Sequence, residues 1–261
     1  MSKPPILDNK PVAAPSMFEP QALLREARRQ KGFAAAEVPR VCILDPDGDI
    51  VRRLRDTGEA KPFAGWPCYH TTLDTFQLGR RMVGIVGCAV GAPFAVLIAE
   101  QLFASGCSFL VSVTSAGQIR PVGPTPYFVI IERALRDEGT SYHYLAPSDY
   151  SEADADLVAK AAAALRSKGL NAVVGSSWTT DAPFRETAEA IAAARAREVL
   201  AVEMEAAALY AFAQCNKRKV LCLAHVTNTM AQTEQDFEKG EAEGTVDALR
   251  VLDAIISSSD S

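Results

Sequence analysis

Histidine is scarce in this chain. His70, His143 and His225 are the three it has among 261 residues, and no two of them stand at a metal-ligand spacing. An imidazole-built metal centre is therefore not expected. The six cysteines, Cys42, Cys68, Cys88, Cys107, Cys215 and Cys222, form no CxxC pair. Their apolar surroundings fit buried free thiols in a reducing compartment, so a cytoplasmic location is expected. Neither sign of charge dominates: 27 basic residues face 32 acidic ones, a net charge of −5. No basic stripe interleaved with aromatics is present, so nucleic acid is not an expected partner. Long apolar runs are missing too. The longest, residues 83–99, is broken by Gly84, Gly87, Gly91 and Pro93, whereas a membrane span needs about 20 less interrupted residues. No charged stretch followed by an apolar core opens the chain, so no signal peptide is expected.

What is present is apolar residue, 48% of the chain, enough for one large α/β domain with a well-buried core. Residues 1–17 are proline-rich with little periodicity and read as a flexible N-terminal arm or an intersubunit strap. The domain proper is expected over 18–261. A helix from Phe18 carries Leu23, Leu24 and Ala27 on one side and stops before Gly32. Short apolar runs at 41–44, 83–86, 109–113, 127–131, 172–174, 200–204 and 220–226 read as strands. Helical stretches are expected at 93–105, 154–167 and 186–197, from about Glu205, and over much of 232–257. Apolar strands separated by helices predict a twisted, mixed but mostly parallel sheet flanked by helices. In such sheets ligands gather at the carboxyl ends of the strands. Polar or glycine-rich segments stand at those ends here: 45–49, 87–93, 114–117, 203–205 and 227–228.

Two segments carry a family resemblance. The run Val-Glu-Met-Glu at 202–205 resembles a signature of bacterial purine nucleoside and uridine phosphorylases and related nucleosidases. The run Gly-Cys-Ala-Val-Gly-Ala-Pro at 87–93 resembles the glycine-rich turn of that superfamily. The segments 175–187 and 136–141 are similar to a poorly characterised branch. The resemblance spans about residues 40–255 and implies a nucleoside phosphorylase-like domain that cleaves an N-glycosidic bond. It implies a homo-oligomer as well, with a dimer as building block often assembled into a hexamer.

Carried over residue by residue, the resemblance places Glu205 on the ribose hydroxyls, with Met204 as an apolar floor and Glu203 beside them. A buried carboxylate can accept from both the 2′- and 3′-hydroxyls. Both acids also fit simple helix-start positions. Asn228 falls where the family hydrogen-bonds the leaving base. An amide cannot protonate a ring nitrogen but can stabilise a ring anion, which favours a 6-oxopurine or a pyrimidine over adenine. Phe184, Arg185 and Trp178 fall at base-stacking and base-reading positions, Trp178 fitting the core equally well. His70 and His143 are candidates for the ribose 5′-hydroxyl, or structural.

The phosphate-binding pattern fails. Phosphorylases hold their dianion with arginines. Here Ile50 stands in place of the first and Ser112 in place of the second, and the third falls near Cys68. Ser115 survives as a hydroxyl donor, with Gly91 and Ser112 the remaining candidates for an anion or nucleophile pocket. Each hydrogen bond to a charged group is worth roughly 1.5–3 kcal/mol, so three losses cost several powers of ten in phosphate affinity. Asp45, Asp47 and Asp49 would repel a dianion further; Arg52, Arg53 or Arg120 are the possible substitutes. In the nucleosidase branch a carboxylate after the first strand activates water. Asp49 matches that place, with Asp47 as the second choice, although Asp-Pro-Asp-Gly is also ordinary turn chemistry. Hydrolysis of a nucleoside is the first reading. Phosphorolysis with a rearranged anion site is the second, and only then is phosphate a co-substrate; no other cofactor is expected. A non-catalytic nucleoside binder is the third. A dehydrogenase is disfavoured, because the glycine turn lacks GxGxxG spacing.

Overall fold

Strand β5 (Phe109–Gln118) organises the sheet, and the rest is described by what pairs with it. The computed structural model describes residues 4–230 and 237–258. On one side of β5 lie β1 (Val41–Asp45), β4 (Arg81–Gly87), β3 (Asp74–Leu78) and β2 (Lys61–Pro62), in that order. On the other side β10 (Lys219–Asn228) runs parallel to β5. It also pairs antiparallel with β6 (Tyr127–Asp137), which carries β7 (Tyr150–Glu152) on its edge. Next come β8 (Ala172–Thr180), parallel to β6, and β9 (Ala201–Glu203), parallel to β8. β9 then pairs antiparallel with Gly117 and Gln118 at the end of β5. Five strands thus close into a ring and four extend from it as an open wing. Among the described residues, five strand pairings are parallel and five antiparallel.

Helices cover both faces, as apolar strands require. Alternate residues of β5 divide between them: Leu110 and Ala116 join the core under α3 (Ala92–Ala104) and α6 (Ala206–Asn216). Val111 and Val113 join the core under α2 (Asp49–Asp56), α4 (Ala155–Ser167) and α7 (Thr245–Ser258). The alanines of α6 let it lie close on the sheet, and residues 206–213 are all buried. Its Tyr210 hydroxyl donates to the Ile131 carbonyl at 2.6 Å and so satisfies its one polar atom in the core. Helix α1 (Pro20–Lys31) ends at Gly32 in the left-handed conformation, and α5 (Ala188–Ala196) follows Thr187, whose hydroxyl caps it.

The mixed sheet flanked by helices matches expectation, but half of its described pairings are antiparallel where mostly parallel ones were expected, and several boundaries differ. β5 was expected to close at residue 113 with a turn at 114–117; it continues because β10 pairs with it from Lys219 to Asn228. β8 likewise extends to Thr180 along β6. Helix α2 is an addition, its buried Ile50, Val51 and Leu54 falling just after the turn at 45–48. Strands β2, β3 and β7 are additions too. The last helix begins at Thr245; residues 232–236 of its expected range lie outside the described ones. Residues of the expected arm lie against their own chain, with Ile6 packed close to Gly139. Cys42, Cys68, Cys107 and Cys222 are buried, but Cys88 and Cys215 are exposed, because both stand at the ends of elements rather than within them. Among the described residues no helix is long and apolar enough to cross a membrane.

Candidate active site

The carboxyl ends of β1, β4, β5 and β10 point the same way, and β9 meets them from the opposite direction, so the segments singled out above converge. The turn after β1 is shaped by Asp45. Its buried carboxylate accepts from the Gly48 N–H at 3.2 Å and the Val51 N–H at 2.9 Å, tying the strand to the start of α2. Gly48 is left-handed at φ 77°, with Cys88 Sγ and Arg52 where a side chain would need to be. The turn carries Asp47 across to β5. There Asp47 accepts from the Ser115 N–H at 2.7 Å and from the Ser115 hydroxyl at 3.0 Å. Asp49, the first residue of α2, is held between the Arg52 guanidinium and the Lys239 ammonium, the latter at 2.5 Å.

These three acids line a cavity of about 20 Å³ together with Thr114, Ser115, His225 and Lys239. That is room for about one water molecule. Burial, reinforced by the charges of Asp47 and Asp49, pushes Asp45 up to about 7. His225 stands opposite Ser115 in the β5–β10 register and stacks on Phe128 with ring centroids 4.4 Å apart. Burial lowers it to about 4, so a neutral imidazole faces the cavity at neutral pH.

Two glutamates, one ending β9 and one just after it, make different contacts. Glu203 accepts from the Ser177 hydroxyl at 3.0 Å, the Thr179 hydroxyl at 2.5 Å, and the N–H groups of Glu205 and Ala206, both at 2.7 Å. Its acceptors are occupied by protein donors and it anchors the start of α6. That corrects its place among the ribose-binding candidates: it holds the residues that follow it. Glu205 accepts from the Gly91 N–H at 2.7 Å and from the Met204 N–H at 3.3 Å. Burial, then the charges of Glu203 and Asp47, push it up to about 8, against the hydrogen bonds of Gly91 and Thr114. The carboxyl thus stands beside Thr114 and within the field of Asp47.

Asn228 ends β10, in register with Gly117 of β5. Its Oδ1 accepts from the Met230 N–H at 2.9 Å, and its Nδ2 approaches Thr227 Oγ1 at 3.3 Å. Gly117, across the register from Asn228, has no side chain because Met230 Sδ and Val202 press on it.

Other expected positions fall differently. Asp49, the first choice for a water-activating base, is neutralised by two cations, which moves Asp47 ahead of it. Gly91 directs its N–H at Glu205, not into an anion pocket. Ser112 lies on the face opposite Ser115, because a strand alternates, and its buried hydroxyl has no partner among the described residues. Trp178 is core: it is 4% exposed and its Nε1 donates to Asp137 at 3.0 Å. Phe184 is 99% exposed on the turn Pro183–Arg185, and Arg185 is exposed with it. His143 is exposed; His70 lines a separate cavity of about 470 Å³ beside Gly87. Of the substitute cations, Arg120 pairs with Glu198, and Arg52 with Asp49. Lys239, His225 and Met230 were not singled out in the sequence. His225 was within reach of strand alternation; Lys239 and Met230 belong to an aperiodic stretch that nothing local places. Among the described residues no three histidine, cysteine or acidic side chains are grouped to hold a metal ion.

Known proteins agree with this architecture. A DeoD-type purine nucleoside phosphorylase of Yersinia enterocolitica is 27% identical over 157 residues, which cover 59% of this chain and 65% of that protein. The corresponding protein of Brevibacillus brevis is 28% identical over 159 residues, covering 60% and 67%. The chain therefore matches about two thirds of the length of these relatives. The crystal structure of uridine phosphorylase from Vibrio fischeri, complexed with 6-hydroxy-1-naphthoic acid, superposes with a TM-score of 0.73 at 18% identity. It covers 87% of this chain and 97% of that one. Residues 40–257 match the Phosphorylase superfamily as a whole, and the chain belongs to that superfamily.

Proposed function

We propose that this chain cleaves the N-glycosidic bond of a nucleoside by hydrolysis, with Asp47 as the base for the attacking water. The observation that carries the reading is the Asp47 carboxylate seated on both donors of Ser115. Those donors would otherwise hold a phosphate oxygen. A carboxylate already there, with Asp45 and Asp49 beside it, makes a dianion compete with a tethered anion of the same sign.

Asp47 accepts a proton as the oxygen of water bonds to the anomeric carbon and the carbon–nitrogen bond breaks, the bonding pair leaving with the base. Ser115 fixes the orientation of Asp47 and leaves its remaining lone pairs available. Glu205 receives the ribose hydroxyls, and Glu203 positions it through α6. The Asn228 amide stabilises the departing base as an anion. Catalysis of this kind rests on groups placed before the substrate arrives, which the buried Glu203 network supplies. The resemblance to phosphorylases supports the second reading, phosphorolysis, and so does one feature of the site. Lys239 lines the cavity and Arg52 holds the other side of the Asp49 carboxylate, and the two would serve a phosphate if Asp49 released them.

Uridine, inosine, guanosine and adenosine, incubated with and without phosphate and assayed for free base and sugar product, separate the readings. Release without phosphate is expected, reduced at least about a hundredfold in Asp47→Asn and in Glu205→Ala. Release that requires phosphate and survives Asp47→Asn would establish phosphorolysis. Silence in every arm, with binding retained, would leave a nucleoside binder.

A further inference from the structure

Independently of what the active site does, we propose that the amino end of the sheet holds a second ligand site, one that takes a small organic phosphate. Strands β1, β5 and β10 begin side by side there, with Val41 opposite Phe109 and Phe109 opposite Lys219. With α4 and α7 these strand starts enclose a cavity of about 510 Å³. Sites for small organic ligands commonly span roughly 300–1,000 Å³. Phe109 stands six residues before Ser115 on β5, which lines the active-site cavity. At a strand rise of about 3.3 Å per residue the two cavities are about 20 Å apart, at opposite ends of the same strand.

Arg40, Arg81, Lys160 and Lys219 line this cavity, and among the described residues no acid does. The chain as a whole carries a net charge of −5, so the grouping is local and not part of a generally basic surface. The fold assembles it from sequence positions that look unrelated. Arg40, Arg81 and Lys219 stand at the starts of β1, β4 and β10, which parallel pairing with β5 and β1 sets in one row, and Lys160 comes from α4. The backbone of Arg40 is fixed. Its carbonyl accepts from the N–H groups of Ser108 and Phe109 at 2.8 and 3.1 Å and from the Ser108 hydroxyl at 3.1 Å. Arg40 and Lys219 are exposed and make no ion pair among the described residues, so their donors are open to a ligand. A guanidinium fork and ammonium groups around one space suit a phosphate dianion better than a single carboxylate. Beneath them Phe109, Leu221 and Ile255 belong to the apolar core under α4 and α7. That floor favours a ligand with an apolar or aromatic body, which inorganic phosphate lacks.

Calorimetric titration of the full chain with naphthyl phosphate, naphthol and inorganic phosphate tests the site. Naphthyl phosphate is expected to bind, and inorganic phosphate about a hundredfold more weakly, the scale of leaving the ring surface unburied. Naphthol, without the dianion, should also bind about a hundredfold more weakly. Arg40→Gln and Lys219→Gln should each weaken naphthyl phosphate by about tenfold, since each loses a hydrogen bond to a charged group. Both side chains are exposed, so each variant should keep the wild-type melting temperature. No binding of naphthyl phosphate to wild type, or binding unchanged in both variants, overturns the proposal. Inorganic phosphate bound as tightly as naphthyl phosphate overturns the assignment of an organic ligand.

Discussion

Glu205 shows how much of this site depends on desolvation at a single atom group. Its carboxyl is 1% exposed, sits beside another buried acid, and is pushed up to about 8. In the unfolded chain it titrates at about 4.3. Between those values the folded protein binds a proton that the unfolded chain does not, so stability is fully present below about 4 and is lost as pH rises through about 8. Asp45, raised to about 7, adds a loss of the same sign. Urea unfolding is therefore expected to show stability falling between about pH 4 and 8, on the order of a few kcal/mol, with a shallower slope in Glu205→Gln. In the proposed reaction the ionised form accepts from two ribose hydroxyls, so kcat/KM should climb toward about pH 8, and Glu205→Gln should lose that limb. A pH slope identical in the two proteins would mean that the Glu205 carboxyl does not carry the extra proton.

At the scale of elements, the glycine before α3 joins turn geometry to the site. Gly91 has φ 94° and ψ 146°, a region that only glycine adopts without strain, and its N–H points at Glu205 because of it. An added Cβ has space, the nearest atom being Pro93 Cδ at 4.0 Å, so the cost of Gly91→Ala lies in the backbone. A loss of about 1–3 kcal/mol is expected in denaturant unfolding, along with weaker nucleoside binding as the N–H turns away. Gly123→Ala, where nothing lies within 4 Å, should stay within about 0.5 kcal/mol. Equal effects at the two positions would contradict this account. The glycine turn, the start of α6 and the end of β1 were legible in the sequence because each is a local contrast: apolar strand, then polar or glycine-rich turn. β5, β6, β8 and β10 were read too short because their polar last residues form strand only when paired. Trp178 could not be separated from a base-stacking residue by sequence, since a buried tryptophan with a polar partner satisfies both patterns. Lys239 could not be placed, because an ion pair with Asp49 across 190 residues leaves no trace in local periodicity.

For the molecule as a whole, the turn after β1 brings Asp45, Asp47 and Asp49 against the end of β5, and what neutralises them decides the chemistry. Asp47 spends its charge on Ser115, and Asp49 spends its own on Arg52 and Lys239. A ligand that binds only the folded state stabilises it by RT ln(1 + [L]/Kd), so the melting temperature reports anion binding without any assumption about catalysis. Phosphate at about 10 mM should leave wild type unshifted relative to chloride of equal ionic strength. Asp47→Ser removes the competing carboxylate and frees the two Ser115 donors at the cavity that Lys239 also lines. With a Kd of about 1 mM the same phosphate would then add about 1.4 kcal/mol. In a chain of this size that raises Tm by about 3–6 °C. A rise of that size in wild type would show that phosphate displaces Asp47 unaided, and hydrolysis would give way to phosphorolysis. Its appearance in Asp47→Ser alone would identify the carboxylate as the group that turned an anion site into a water site.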